Sequence, residues 1–133
     1  MVGEMSVQIT NQGAGAGPGG GQVVVQKDID ILHFTRTNSV PSNTLSTIAN
    51  YTAPQNVRIV KVVISGQESA RHGLYVNTVE KGIKRATPGL DTEFEFAGYP
   101  LPLSSGQVLQ VRSEHFYSGE TPTFETTVYG YVV

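Results

Sequence analysis

The sequence predicts an all-β fold: a jelly-roll-like antiparallel β-sandwich of about eight strands, preceded by an extended glycine-rich N-terminal arm. Three observations predict it. Short β-branched or alternating segments recur through residues 23–133. Turn residues separate them: Pro41, Pro54, Pro88, Pro100, Pro102 and Pro122, with glycines at 66, 73, 82, 89, 98, 106 and 119. No segment carries an apolar stripe of helical period framed by capping residues, so the crossover helices of a parallel α/β sheet are not expected.

Two parts are expected, an arm over 1–22 and the sandwich over 23–133. Seven of the 15 glycines fall within the first 21 residues, and the arm carries a single charge, Glu4. Its tip, MSVQIT, alternates Met5, Val7 and Ile9 with polar residues, the pattern of a strand that adds to another sheet. Gly13, Gly15, Gly17 and Gly19 follow. Such a tract cannot build a core of its own.

The domain opens with VVVQKDIDILHFT (23–35), and TLSTIANY (44–51) is the next candidate strand. VRIVKVVIS (57–65) is apolar on both faces, with Val60, Val62 and Ile64 on one and Val57, Ile59 and Val63 on the other, which reads as a central strand. LYVNTV (74–79) reads as one strand, and TEFEF (92–96) sends Phe94 and Phe96 inward. QVLQVRS (107–113) follows a turn, and TFETTVYGYVV (123–133) ends the domain, with Thr127, Tyr129, Tyr131 and Val133 on one face. The expected core is Val60, Val62, Ile64, Phe94, Phe96, Val108, Leu109 and Val111. The stretch TTVYGYVV, poor in charge, reads as an edge able to pair with another chain.

Composition narrows the function. The 133 residues suit one domain, large enough to fold without a disulfide or metal. With no cysteine, disulfide scaffolds, thiolate zinc sites and thiol catalysis are excluded. A net charge of −2 argues against a nucleic-acid binder. No apolar run is long enough to span a bilayer as a helix, and MVGEMSVQIT lacks the basic and apolar regions of a secretory signal, so synthesis in a cytoplasm is expected.

Catalytic motifs are scarce. GAGPGG (15–20) matches a dinucleotide fingerprint in spacing, but a β-branched run follows it where a helix is required, and no G-K-[ST] follows. His33, His72 and His115 are not spaced as a metal pair, and no G-x-S-x-G elbow occurs. Neither an enzyme, a cofactor nor a metal is expected. Lys81, Lys84 and Arg85 form a local basic cluster in EKGIKRATPG, with Arg71 and His72 in a preceding turn. Phe116 and Tyr117 lie in the expected loop SEHFYSGETP, where aromatics serve as interface anchors or fold back to cap the sandwich.

Three segments, YTAPQNVRIVKVVISG (51–66), LYVN (74–77) and PLPLSSGQVLQVRS (100–113), resemble small jelly-roll structural proteins of tailed-bacteriophage virions, of the head decoration or cement type. The resemblance implies a non-enzymatic protein of the virion, assembled in the host cytoplasm. It implies a homo-oligomer, with a trimer as the first expectation, whose arm and sandwich edge bind the major capsid protein or other virion subunits. The arm residues Met5, Val7, Ile9, Gly13, Gly15, Gly17 and Gly19 are then partner-binding, joined by Lys81, Lys84, Arg85, Phe116 and Tyr117 in the loops. A tail or fibre component is the alternative, as is a receptor- or carbohydrate-binding module with Tyr75, Tyr99, Phe116 and Tyr117 as stacking residues. The absence of Trp weighs against the glycan module.

Overall fold

The computed structural model describes residues 7–9, 25–96 and 98–133. The chain forms two compact units, Met1–Asp30 and Ile31–Val133. The first holds β1 (Val7–Ile9) and β2 (Val25–Lys27), an antiparallel pair in which Val7 faces Lys27 and Ile9 faces Val25.

The second unit holds nine strands: β3 (Ile31–Thr37), β4 (Ser46–Thr52), β5 (Val57–Ser65), β6 (Ala70–Val76), β7 (Val79–Arg85), β8 (Thr92–Glu95), β9 (Leu101–Leu103), β10 (Val108–His115) and β11 (Phe124–Val132). They build two antiparallel sheets with no helix among the described residues. One sheet runs β3–β11–β5, with β8 and β9 sharing the far edge of β5. The other runs β4–β10–β6–β7. Taking β8 and β9 as one interrupted strand, successive strands alternate between sheets except across the β6–β7 hairpin, in the order of two nested Greek keys, the topology of a jelly roll. The all-β sandwich read from the sequence is therefore the observed fold.

Inward residues from both sheets form one core. Val57, Ile59, Val62, Ile64, Leu74, Leu103, Leu109, Val111, Phe124 and Val128 are almost wholly excluded from solvent. Of the expected core, Val62, Ile64, Phe94, Leu109 and Val111 are buried. Val60, Phe96 and Val108 are only half-buried.

The reason for Val60 is a β-bulge. Lys61 faces Tyr129 and Ile59 faces Gly130, so Val60 is an extra residue. The bulge switches the inward phase from Val57 and Ile59 to Val62 and Ile64, which explains a strand apolar on both faces. It also presses the β5 backbone onto β11, where a Cβ at Gly130 would collide with the Arg58 carbonyl oxygen.

Three further expectations change. LYVNTV is not one strand but a hairpin, with Val76 facing Val79 and Asn77 and Thr78 at φ 47° and 70°. Positive φ at both central residues is the turn whose twist suits two adjacent strands. Consequently EKGIKR is strand β7 rather than a loop, and Arg71 and His72 lie on β6 rather than in a turn. On β11, Phe124, Thr126 and Val128 pack inward, and Thr127, Tyr129 and Tyr131 share the opposite face as the alternation groups them. Finally, β11 is no edge, because β3 and β5 pair with both its sides.

Candidate partner-binding surface

The loops after β3, β5, β7 and β10 meet at one end of the sandwich. The Phe116 amide donates to the Ser69 carbonyl at 2.8 Å, and the Gly89 amide to Glu68 Oε2 at 3.0 Å. The Val40 amide donates to the Pro122 carbonyl at 3.0 Å. These bonds hold side chains from distant parts of the sequence together. The Arg85 guanidinium lies 5.2 Å from the centre of the Phe116 ring, a cation–π distance. Tyr117, half exposed, borders an open depression of about 320 Å³ lined by Gln67, Glu68, Ser69 and Pro88. Leu90 is 69% exposed at the tip of the β7–β8 loop, beside a second depression of about 650 Å³ lined by Lys84, Arg85 and Glu93.

The fold brings Arg85, Phe116 and Tyr117 together, but not the three cations. Arg85 shares the outward side of β7 with its register partner Arg71 on β6, and Arg71 is paired with Glu114 at 2.7 Å. Lys84 turns toward the other sheet, donating to the Glu93 carbonyl at 2.8 Å with its ammonium 5.6 Å from the Phe94 ring centre. Lys81 is the extra residue of a bulge, exposed in mid-strand. Charged side chains on an edge strand such as β7 also discourage unwanted pairing.

Of the arm residues, Val7 and Ile9 lie in β1, paired with the backbone of β2. Met5, Gly13, Gly15, Gly17 and Gly19 lie outside the described residues. Among the stacking candidates, Tyr99 is 91% exposed between β8 and β9. Tyr75 is not available for stacking on a ligand: it is 8% exposed because the Arg112 guanidinium covers its ring.

His72 and His115 serve the interior. His115 is buried, its Nε2–H donating to the Val40 carbonyl at 2.7 Å while Nδ1 accepts the Tyr117 amide at 3.3 Å. That pattern is the neutral Nε2–H tautomer. His72 shares a 2.6 Å hydrogen bond with Ser113, both buried. Burial pulls the His72 pKa from 6.5 down to about 4. Both rings flank Phe124, at 5.8 and 6.0 Å between centres. No group of three or more His, Asp or Glu among the described residues is arranged to hold a metal ion.

Sequence reasoning missed a polar row on the outward face of the second sheet, running from Asn50 through Gln110 to Arg112 and Tyr75. The signal was present in QVRSE, where Gln110, Arg112 and Glu114 alternate onto one face of β10.

The fold and these surfaces define a jelly-roll β-sandwich protein whose loop end exposes apolar and aromatic side chains beside cations. No protein-family model and no curated protein matches the chain. Among solved structures, the chain is similar to one from the structure of infectious bursal disease virus Gx strain, at 11% identity and a TM-score of 0.29. The match covers 90% of this chain and 41% of that one, so this chain spans about two-fifths of the length of the viral one.

Proposed function

We propose that this chain is a non-enzymatic structural protein of a virus particle, a decoration or cement protein that docks on shell subunits and stabilises them. The observation that carries the reading is the loop end, where Leu90 and Tyr117 are exposed around the Arg85–Phe116 stack. Exposed aromatic and aliphatic side chains beside an arginine are the composition of an interface anchor. The resemblance of segments 51–66, 74–77 and 100–113 to phage virion proteins points the same way. The non-enzymatic reading is supported by the placement of His72 and His115 inside the core, away from any substrate.

The arm is the second docking element in this proposal. One side of β1 is paired with β2, so addition to a partner sheet uses its other edge. The partner is the major capsid protein or another virion subunit, and the chain acts as a homo-oligomer within the assembled virion. The test is co-sedimentation with particles that lack the protein. Full-length chain should sediment with them, and a chain lacking residues 2–22 or carrying Leu90→Asp with Tyr117→Asp should bind far more weakly. If all three bind equally, neither element docks the protein. Electron microscopy of decorated particles separates a head position from a tail or fibre position.

A further inference from the structure

We propose that Arg112 is a carboxylate-binding anchor on the outward face of the second sheet, and that it takes an acidic side chain from a protein partner. The inference deepens the docking reading above and rests on it for the identity of the partner. Arg112 lies in the middle of the sheet, on β10 between β4 and β6. Its guanidinium carbon sits 4.3 Å from the centre of the Tyr75 ring. Its Nε–H donates to Gln110 Oε1, and Gln110 Nε2 donates to Asn50 Oδ1 at 3.0 Å. The guanidinium is therefore held on one face by a ring and on one edge by an amide. Its two terminal amino groups bond no acceptor among the described residues, and no carboxylate there lies within 4.0 Å of it. Stacked, oriented arginine presents a fixed fork that fits a carboxylate bidentately.

The backbone around it is adapted to hold this arrangement. Arg112 faces Gly73 across the β10–β6 ladder. A Cβ at position 73 would come within 2.9 Å of the Tyr75 ring, so the glycine is what lets that ring lie down across the sheet. Bulges flank the stack on both sides, one at Ile48 of β4 opposite Val111 and Arg112, the other at Lys81 of β7 opposite Leu74 and Tyr75. Bulges re-aim side chains and concentrate beside functional sites.

The charge of the face selects the ligand. Arg71 and Arg85 are directly opposite each other on β6 and β7, one row from Arg112, and Glu114 answers only Arg71. Glu80 stands beside Tyr75 on β7, so a chain of net charge −2 gathers three guanidiniums and two carboxylates on this part of its surface, an excess of positive charge. Because Arg112 covers Tyr75, the face offers no open ring for a sugar to stack on, which favours a protein carboxylate over a saccharide.

The experiment follows the arginine side-chain Nε–H signals by NMR in the full-length protein. The titrants are a capped hexaglutamate peptide, N-acetylneuraminic acid and inorganic phosphate. The peptide should move the Arg112 signal, and Arg112→Lys should weaken binding about tenfold, because an ammonium keeps the charge but loses the fork. Arg58→Lys, on the other sheet, should bind as the parent does. Gln110→Glu, which supplies a carboxylate to Arg112 internally, should abolish binding with the melting temperature maintained. Equal movement of all arginines, undiminished binding by Arg112→Lys, or saturation by the sugar or phosphate but not the peptide would each overturn the proposal. Peptide binding without particle co-sedimentation leaves this site standing and removes the virion reading; the reverse outcome removes the site alone.

Discussion

His72 shows what burial does to one titratable side chain. It occupies an inward position on β6, 2% exposed, beside Phe124 and bonded to Ser113. The charged ring is disfavoured there by desolvation, so the folded pKa is about 4 against 6.5 in the unfolded chain. A folded pKa below the unfolded one means that the unfolded state binds the proton first. The neutral ring's contribution is fully present above pH 6.5 and is lost as pH falls from 6.5 toward 4. The loss from this group alone is about 3 kcal/mol. Urea unfolding measured across that range should show the decline, and His72→Gln, which cannot titrate, should flatten it. An equal slope in the variant would assign the acid sensitivity to other groups.

At the scale of single elements, two positions carry backbone constraints. Gly130 sits where the Val60 bulge drives β5 against β11, with the Arg58 carbonyl in the place of a Cβ. Gly130→Ala forces two central strands apart and should lower stability by about 1–3 kcal/mol, read as a lower urea midpoint. The β6–β7 turn is the opposite case. Thr78 adopts φ 70°, a conformation that a β-branched residue resists and glycine accepts freely. Thr78→Gly creates the Asn-Gly sequence preferred in such turns and should raise stability by about 1 kcal/mol, seen as a higher melting temperature. A drop instead would mean that the Thr78 hydroxyl, which donates to the Asn77 carbonyl, outweighs the strain.

For the whole molecule, the central question is what the first unit contributes. Among the described residues, the core side chains from both sheets belong to Ile31–Val133, and β1 pairs with β2 in a separate sheet. Deletion of residues 2–22 should therefore leave the thermal melt of the sandwich nearly unchanged while weakening particle attachment. A large fall in melting temperature would make the arm part of the fold. Edges bear on assembly in the same way. On β7, Glu80, Lys81, Lys84 and Arg85 guard one side of the second sheet, whereas β3 carries one charge, Arg36, along its length and exposes Leu32 and Phe34. The proposed self-association should therefore use the β3 side rather than β11, which is central.

The sequence by itself determined the all-β class, the sandwich and the cores of most strands. These follow from local rules: alternation in TEFEF, β-branched runs in VRIVKVVIS, and turn residues between them. It also placed Phe116 and Tyr117 near a loop and the basic residues near one another in the chain. Only the tertiary structure decided where the inward phase changes along β5 and which strand is an edge. The phase of β5 changes at Val60 because a bulge forms against β11, and nothing within residues 57–65 encodes the partner that imposes it. The NTV segment reads as strand because β-branched residues favour extension, yet pairing of β6 with β7 holds Thr78 at positive φ. The Arg112–Tyr75 stack depends on Gly73 lying opposite Arg112, a register between residues 39 positions apart in the chain. Register and stacking are set by contacts between distant segments, and a linear pattern records only which side chains are available to make them.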